Sequence, residues 1–159
     1  MAQTTGAIAR SGFKVEVSVD ASTWTDISGA ATNVTNDGGD ALTGDQMTAE
    51  GMYAIVTAGN KTEPRNIKIS AVYTETAGEP WKVVYARFDG ADKRIAVRWS
   101  PAGGKTGDQR LGTSIDALGA DIVPIVSCTL PELDASSGDP ALFEFVVRTP
   151  AIYSETVGT

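Results

Sequence analysis

Of the 159 residues none is histidine and one, Cys128, is cysteine. That removes imidazole acid–base chemistry, every Ser-His or Cys-His dyad and the usual zinc sites, because a single thiol cannot supply the missing ligands. Gly103-Gly104-Lys105-Thr106 carries the closing letters of a phosphate-binding loop, but the pattern needs a glycine where Trp99 stands, and no strand-to-helix context follows. Asp37, Asp40 and Asp45 lack the alternate spacing of a calcium loop. No two carboxylates stand out as the acid and base of a glycosidase. Cys128 lies in an apolar alternating run and reads as a small buried hydrophobe. The chain is therefore expected to be no enzyme and to carry no catalytic residue, cofactor or metal.

Charge argues in the same direction. The net value is -7, which speaks against a protein that gains affinity for nucleic acid by neutralising phosphates and releasing counterions. Residues 15–60 hold seven acids and no base, and residues 111–147 six acids and no base, while bases gather in 61–68 and 82–110. Two readings of this map stay open: solvated acidic loops on a soluble domain, or a polar assembly with acidic and basic faces. The first residues show no charged region followed by an apolar core, and no apolar run approaches the ~20 residues a bilayer requires. No membrane role is expected, and synthesis and folding in a cytoplasm are.

Positioning of side chains falls to strands. The length suits about one domain with its own core, and 17 glycines point to many turns. Residues 1–12 are small and polar and read as an N-terminal arm, followed by a single domain over 13–159. Phe13, Val15, Val17 and Val19 alternate with polar neighbours as an opening half-buried strand. Trp24 and Ile27 are candidates to cap one end of the core. Residues 30–50, rich in Gly, Asp and Asn, read as a long loop that cannot bury enough surface to fold alone. Residues 51–75 read as a β-hairpin: an apolar run over 52–58, buried on both faces or at a subunit contact, then a polar turn with Pro64. An alternating strand through Ile67, Ile69, Ala71 and Tyr73 completes it. Pro80 opens a short helix on which Trp81, Val84, Tyr85 and Phe88 make one apolar stripe, a lid for a sandwich. Further strands are expected over 93–100, 111–115, 122–130 and 141–149, with a second long polar loop near 100–111.

The Tyr-Ala-Ile-Val-Thr run at 53–57, the Gly-Asn-Lys-Thr-Glu-Pro-Arg turn at 59–65 and Ala-Val-Tyr-Thr-Glu at 71–75 resemble the major tail (tail tube) proteins of long-tailed bacteriophages. Looser similarity extends to Trp-Thr-Asp-Ile-Ser-Gly at 24–29, to the helical segment, and to Leu-Phe-Glu-Phe-Val-Val at 142–147. The resemblance implies a mainly β fold, a β-sandwich or partly rolled barrel with one short flanking α-helix. It also implies a structural virion protein of the tail, whose copies form hexameric rings that stack into a tube conducting DNA into the host. Partners would then be further copies, a tape measure and a tail terminator, with DNA passing unbound. In that family a loop corresponding to residues 30–50 reaches another subunit, so Asp37, Asp40, Asp45 and Glu50 become candidate inter-subunit or lumen acids. The alternative is a β-sandwich adhesion or carbohydrate-binding module, which Trp24 and Trp99 keep open.

Overall fold

The computed structural model describes residues 3, 4 and 6–158. Eleven strands and one helix follow in the order β1 (Lys14–Ser18), β2 (Thr25–Asp26), β3 (Ala31–Gly38), β4 (Ala41–Gln46), β5 (Ile55–Thr62), β6 (Arg65–Val72), α1 (Pro80–Asp89), β7 (Arg94–Ser100), β8 (Gln109–Ser114), β9 (Val123–Thr129), β10 (Leu142–Thr149) and β11 (Ala151–Thr156). Every ladder is antiparallel. One sheet runs β2-β1-β7-β8-β11 and a second β3-β6-β10-β9. They join at one corner, where the start of β7 pairs with the start of β9 through Arg94 with Pro124 and Ile95 with Val123. The fold is thus a β-sandwich rolled at one side, with one helix.

Alternation builds the core between the sheets. Val15 and Val17 of β1 and Ile95 and Val97 of β7 face Ile67, Ile69 and Ala71 of β6, Phe143, Phe145 and Val147 of β10, and Val123 and Ile125 of β9. Each large side chain removed from water contributes about 1.5–3 kcal/mol, so these strands hold the domain together. Pro80 takes the first turn of α1, where its missing N–H costs nothing. Trp81 and Val84 are buried and Tyr85 and Phe88 half-buried, as the stripe predicts. The Trp81 ring meets Phe143 edge-on at 5.1 Å and Tyr73 at 5.0 Å and stacks on Tyr85 at 4.5 Å. The helix closes the sandwich beside β7 and β9. Arg87 ties it to the sheet by donating to the carbonyls of Arg94 and Val19.

Three expectations change. Residues 30–50 are not a long loop, because residues 31–38 form β3 along β6 and residues 41–46 form β4 along β5. Residues 51–75 are not a hairpin of two mutually paired strands: β5 pairs with β4, while β6 pairs with β3 and β10. Pro64 lacks a donor and Gly38 and Gly39 have φ of 81° and 79°, so both chains bend at the same level and the ladder breaks there. One amide-to-carbonyl hydrogen bond, Glu63 to Asp40 at 2.9 Å, crosses the break. The result is a single long hairpin, β3–β4 out and β5–β6 back, whose inner half belongs to the body. Finally, the apolar run at 52–58 is not buried within the chain: Met52, Tyr53 and Val56 are 87%, 86% and 71% exposed.

Candidate assembly surfaces

Among the described residues no group of three or more Asp, Glu or Cys side chains is gathered as a metal site would need. The Gly103-Gly104-Lys105-Thr106 segment links strand β7 to strand β8, with no helix after it. Its shape is set by the Asp108 carboxylate accepting from the Lys105 amide at 2.8 Å and by paired backbone bonds to Val157. Cys128 is half-buried against the core, and burial pushes its thiol up to about 11.

What the chain presents instead is surface for contact. The β4–β5 ribbon projects from the body with every residue of both strands exposed. Its tip, residues 47–54, carries Met47, Met52 and Tyr53, and Leu42, Ile55 and Val56 continue the apolar character along the strands. A two-stranded ribbon without a covering layer is marginal in water. Exposed apolar groups of this density mark an interaction site.

The four-stranded sheet adds two open edges. β3 has β6 on one side only, and β9, once past Ile125, whose amide donates to the Lys93 carbonyl, has β10 on one side only. Unpaired backbone donors and acceptors along such edges template pairing with another chain. The outward face of that sheet follows from its register. Asn33, Ser70, Glu144 and Thr129 form one row across the strands, Thr35, Lys68, Val146 and Ser127 the next, and Asp37, Asn66 and Arg148 a third. Lys68 and Glu144 make a 3.4 Å ion pair between the first two rows.

The outward face of the five-stranded sheet differs in kind. Arg98 of β7 meets Glu16 of β1 at 2.7 Å, Lys14 meets Glu16 at 3.2 Å and Asp26 at 3.7 Å, and Arg110 meets Glu155 at 2.7 Å. Burial would raise the Glu16 carboxyl, but Arg98 and Lys14 outweigh it and hold the group below its ordinary range. Trp24 lies over the Arg98 guanidinium at 4.0 Å. It therefore covers this charge network from outside and does not cap the core; Ile27, 2% exposed, fills that role.

The four acids singled out in the sequence are all exposed and are not brought together. Asp37 lies on β3 opposite Asn66, Asp40 at the break in the long hairpin, Asp45 on β4 opposite Val56, and Glu50 at the ribbon tip. The open β3 edge went unread in the sequence. Alternation is masked there: Ala31 and Val34 both pack against the core although three residues apart, because the ladder shifts register between Ala31 and Asn33.

No protein-family model matches the sequence and no curated protein is similar to it. Solved structures are similar in fold. A chain of the sheath/tube terminator of an extracellular contractile injection system, PVC, in its extended state aligns with TM-score 0.67 and 16% identity over 97% of this chain and 100% of that one. A chain of the PVC sheath–tube complex aligns at 0.65 and 16% over 96% and 94%. A chain from the tail of an empty gene transfer agent particle, refined helically with C6 symmetry, aligns at 0.54 and 13% over 94% and 98%.

Proposed function

We propose that this chain is the subunit of a tail-type tube, a structural protein whose copies close into six-membered rings that stack into a hollow conduit. The observation that carries the reading is the apolar β4–β5 ribbon, exposed along its whole length on a fold shared from end to end with chains of tube-containing tail assemblies. The ribbon needs a partner that the chain itself does not supply, and a neighbouring copy in the next ring is that partner. Within a ring, β9 of one copy pairs antiparallel with β3 of the next. This heterologous contact closes when the rotation per copy permits, and the C6 symmetry of the gene transfer agent tail favours six. The protein then resides in the tail of a virion or virion-like particle, beside a terminator and a tape measure, and does no catalysis. A sugar-binding role finds little support, since Trp24 is stacked on Arg98 and Trp99 is half-buried, so neither offers an open platform.

Electron microscopy of the concentrated protein tests the reading. Tubes with six-fold end views are expected. A variant with residues 42–60 replaced by a short Gly-Ser turn should stay folded and form no tubes. Monomers at every concentration, or tubes from the truncated variant, sink the reading.

A further inference from the structure

Resting on that reading, the geometry points to the channel wall and to what it passes. Six copies of the four-stranded sheet, joined edge to edge at about 4.8 Å per strand, close at a radius of about 18 Å. Packed sheets lie about 10 Å apart, so a second layer placed inside would have a circumference of about 50 Å for thirty strands that need about 144 Å. The five-stranded sheet must therefore sit outside, and the exposed face of β3-β6-β10-β9 lines the lumen.

We propose that this wall is neutral by construction and fits a cargo of mixed charge, a polypeptide, rather than a polyanion kept clear of the wall by repulsion. The three rows hold eleven register-matched residues, with an apolar pair, Val72 and Leu142, beyond them; the eleven include two acids, Asp37 and Glu144, and two bases, Lys68 and Arg148. The other seven are uncharged, among them three Asn or Ser side chains on the central and β9 strands. Lys68 and Glu144 neutralise each other directly at 3.4 Å. Asp37 and Arg148 flank Asn66 in one row, about 10 Å apart across two strand spacings, and Arg148 is exposed with no ion pair among the described residues. Opposite charges alternating at this spacing cancel within a few ångströms of the wall, so a chain carrying both signs feels no net pull. A polyanion touching the wall meets a ring of guanidiniums that hydrogen-bond phosphates, and its counterion release makes that grip salt-dependent. Of the acids that lend the chain its net charge of -7, Asp40, Asp45 and Glu50 lie on the hairpin break and ribbon and in none of these rows.

The test loads tubes, first verified by electron microscopy, with two fluorescent polymers of equal contour length: an unfolded charge-balanced polypeptide and a single-stranded oligonucleotide. The polypeptide should partition into wild-type tubes within about twofold from low to physiological salt. The oligonucleotide should be retained at low salt and released at least tenfold as salt rises, with a log–log slope of about -0.7 per phosphate contacted. Arg148→Ser should abolish the retention, and Lys68→Ser, which frees Glu144, should weaken it. Exclusion of the oligonucleotide from wild-type tubes, or indifference to both substitutions, overturns the proposal while leaving the tube reading intact. Absence of tubes overturns the tube reading and this inference with it.

Discussion

Glu16 and Arg98 sit on the outward side of their strands yet are almost enclosed, with side chains 10% and 15% exposed. A charge-assisted hydrogen bond in such a place contributes about 1.5–3 kcal/mol. Glu16→Gln should lower stability by about 2 kcal/mol in urea unfolding, and a change within a few tenths would show that the pair is compensated by water. The pH dependence has a definite sign. The folded-state pKa of Glu16 lies below its ordinary 4.5, so the unfolded chain binds more protons between the two values and stability rises with pH there. The contribution is complete above about pH 4.5 and disappears as pH drops through the folded value. Asp26, held low despite its burial by Ser28 and Lys14, acts in the same direction. Unfolding midpoints of Glu16→Gln should be flatter than those of the parent as pH falls below about 4.5. Cys128 gives a second residue-level check. With its thiol raised to about 11, alkylation near pH 8 should be slow in the folded chain and fast in urea; equal rates would place the sulfur in open solvent.

Elements differ in how much of them the amino acids announce. β6, β7 and β10 alternate because one face is buried, and α1 carries its stripe for the same reason, so Ile67, Ile69, Phe143, Phe145 and Trp81 could be assigned to the core from spacing alone. Trp81→Ala should accordingly cost about 3–5 kcal/mol, and an unchanged melting curve would contradict the packing on Phe143. β4 and β5 impose no such pattern. They are strands by mutual pairing in the open, where Asp, Gly and Thr are tolerated on either face; β4 reads as loop, and β5 reads as a strand in its first half and as a turn from Gly59 onward. Pairing partners are equally hidden: β5 and β6 look like a hairpin because they are adjacent, and only the coincident bends at Gly38-Gly39 and Pro64 reveal the longer one. β11 lies beyond the last strand expected from the sequence, 141–149, and its Tyr153 is buried opposite Gly112 of β8. Of the candidate acids, the sequence could flag their exposure but not their separation onto sheet, break and ribbon. Hydrogen exchange should divide the long hairpin at that break. Amides of β3 that bond to β6 should be protected in the monomer, whereas those of β4 should exchange freely until assembly. Strong protection of β4 in a monomer would mean the ribbon is held by the body. Gly39→Ala should cost about 1–2 kcal/mol, because φ is 79° and a methyl would collide with the Arg65 side chain.

At the scale of the molecule, cohesion and association reside in different places. The core lies between the sheets, whereas Met52 and Tyr53 touch nothing that holds the domain together. Met52→Asp with Tyr53→Asp should leave the monomer's melting temperature within about 2 °C, since exposed substitutions stay within about 0.5 kcal/mol, yet stop polymerisation; persistence of tubes would locate the inter-ring contact elsewhere. The division also has a temporal side. β1 finds its principal partner in β7, whose pairing residues run to Ser100, opposite Lys14. At about 5–20 residues per second, a ribosome needs roughly 4–17 s between these two segments. The long hairpin is local in sequence and can close during that wait. If the ribbon is the contact between copies, as proposed, each nascent chain displays it before the domain behind it is finished. Yield of functional subunit should then depend on expression rate, with faster synthesis and higher local concentration favouring premature association over orderly ring formation.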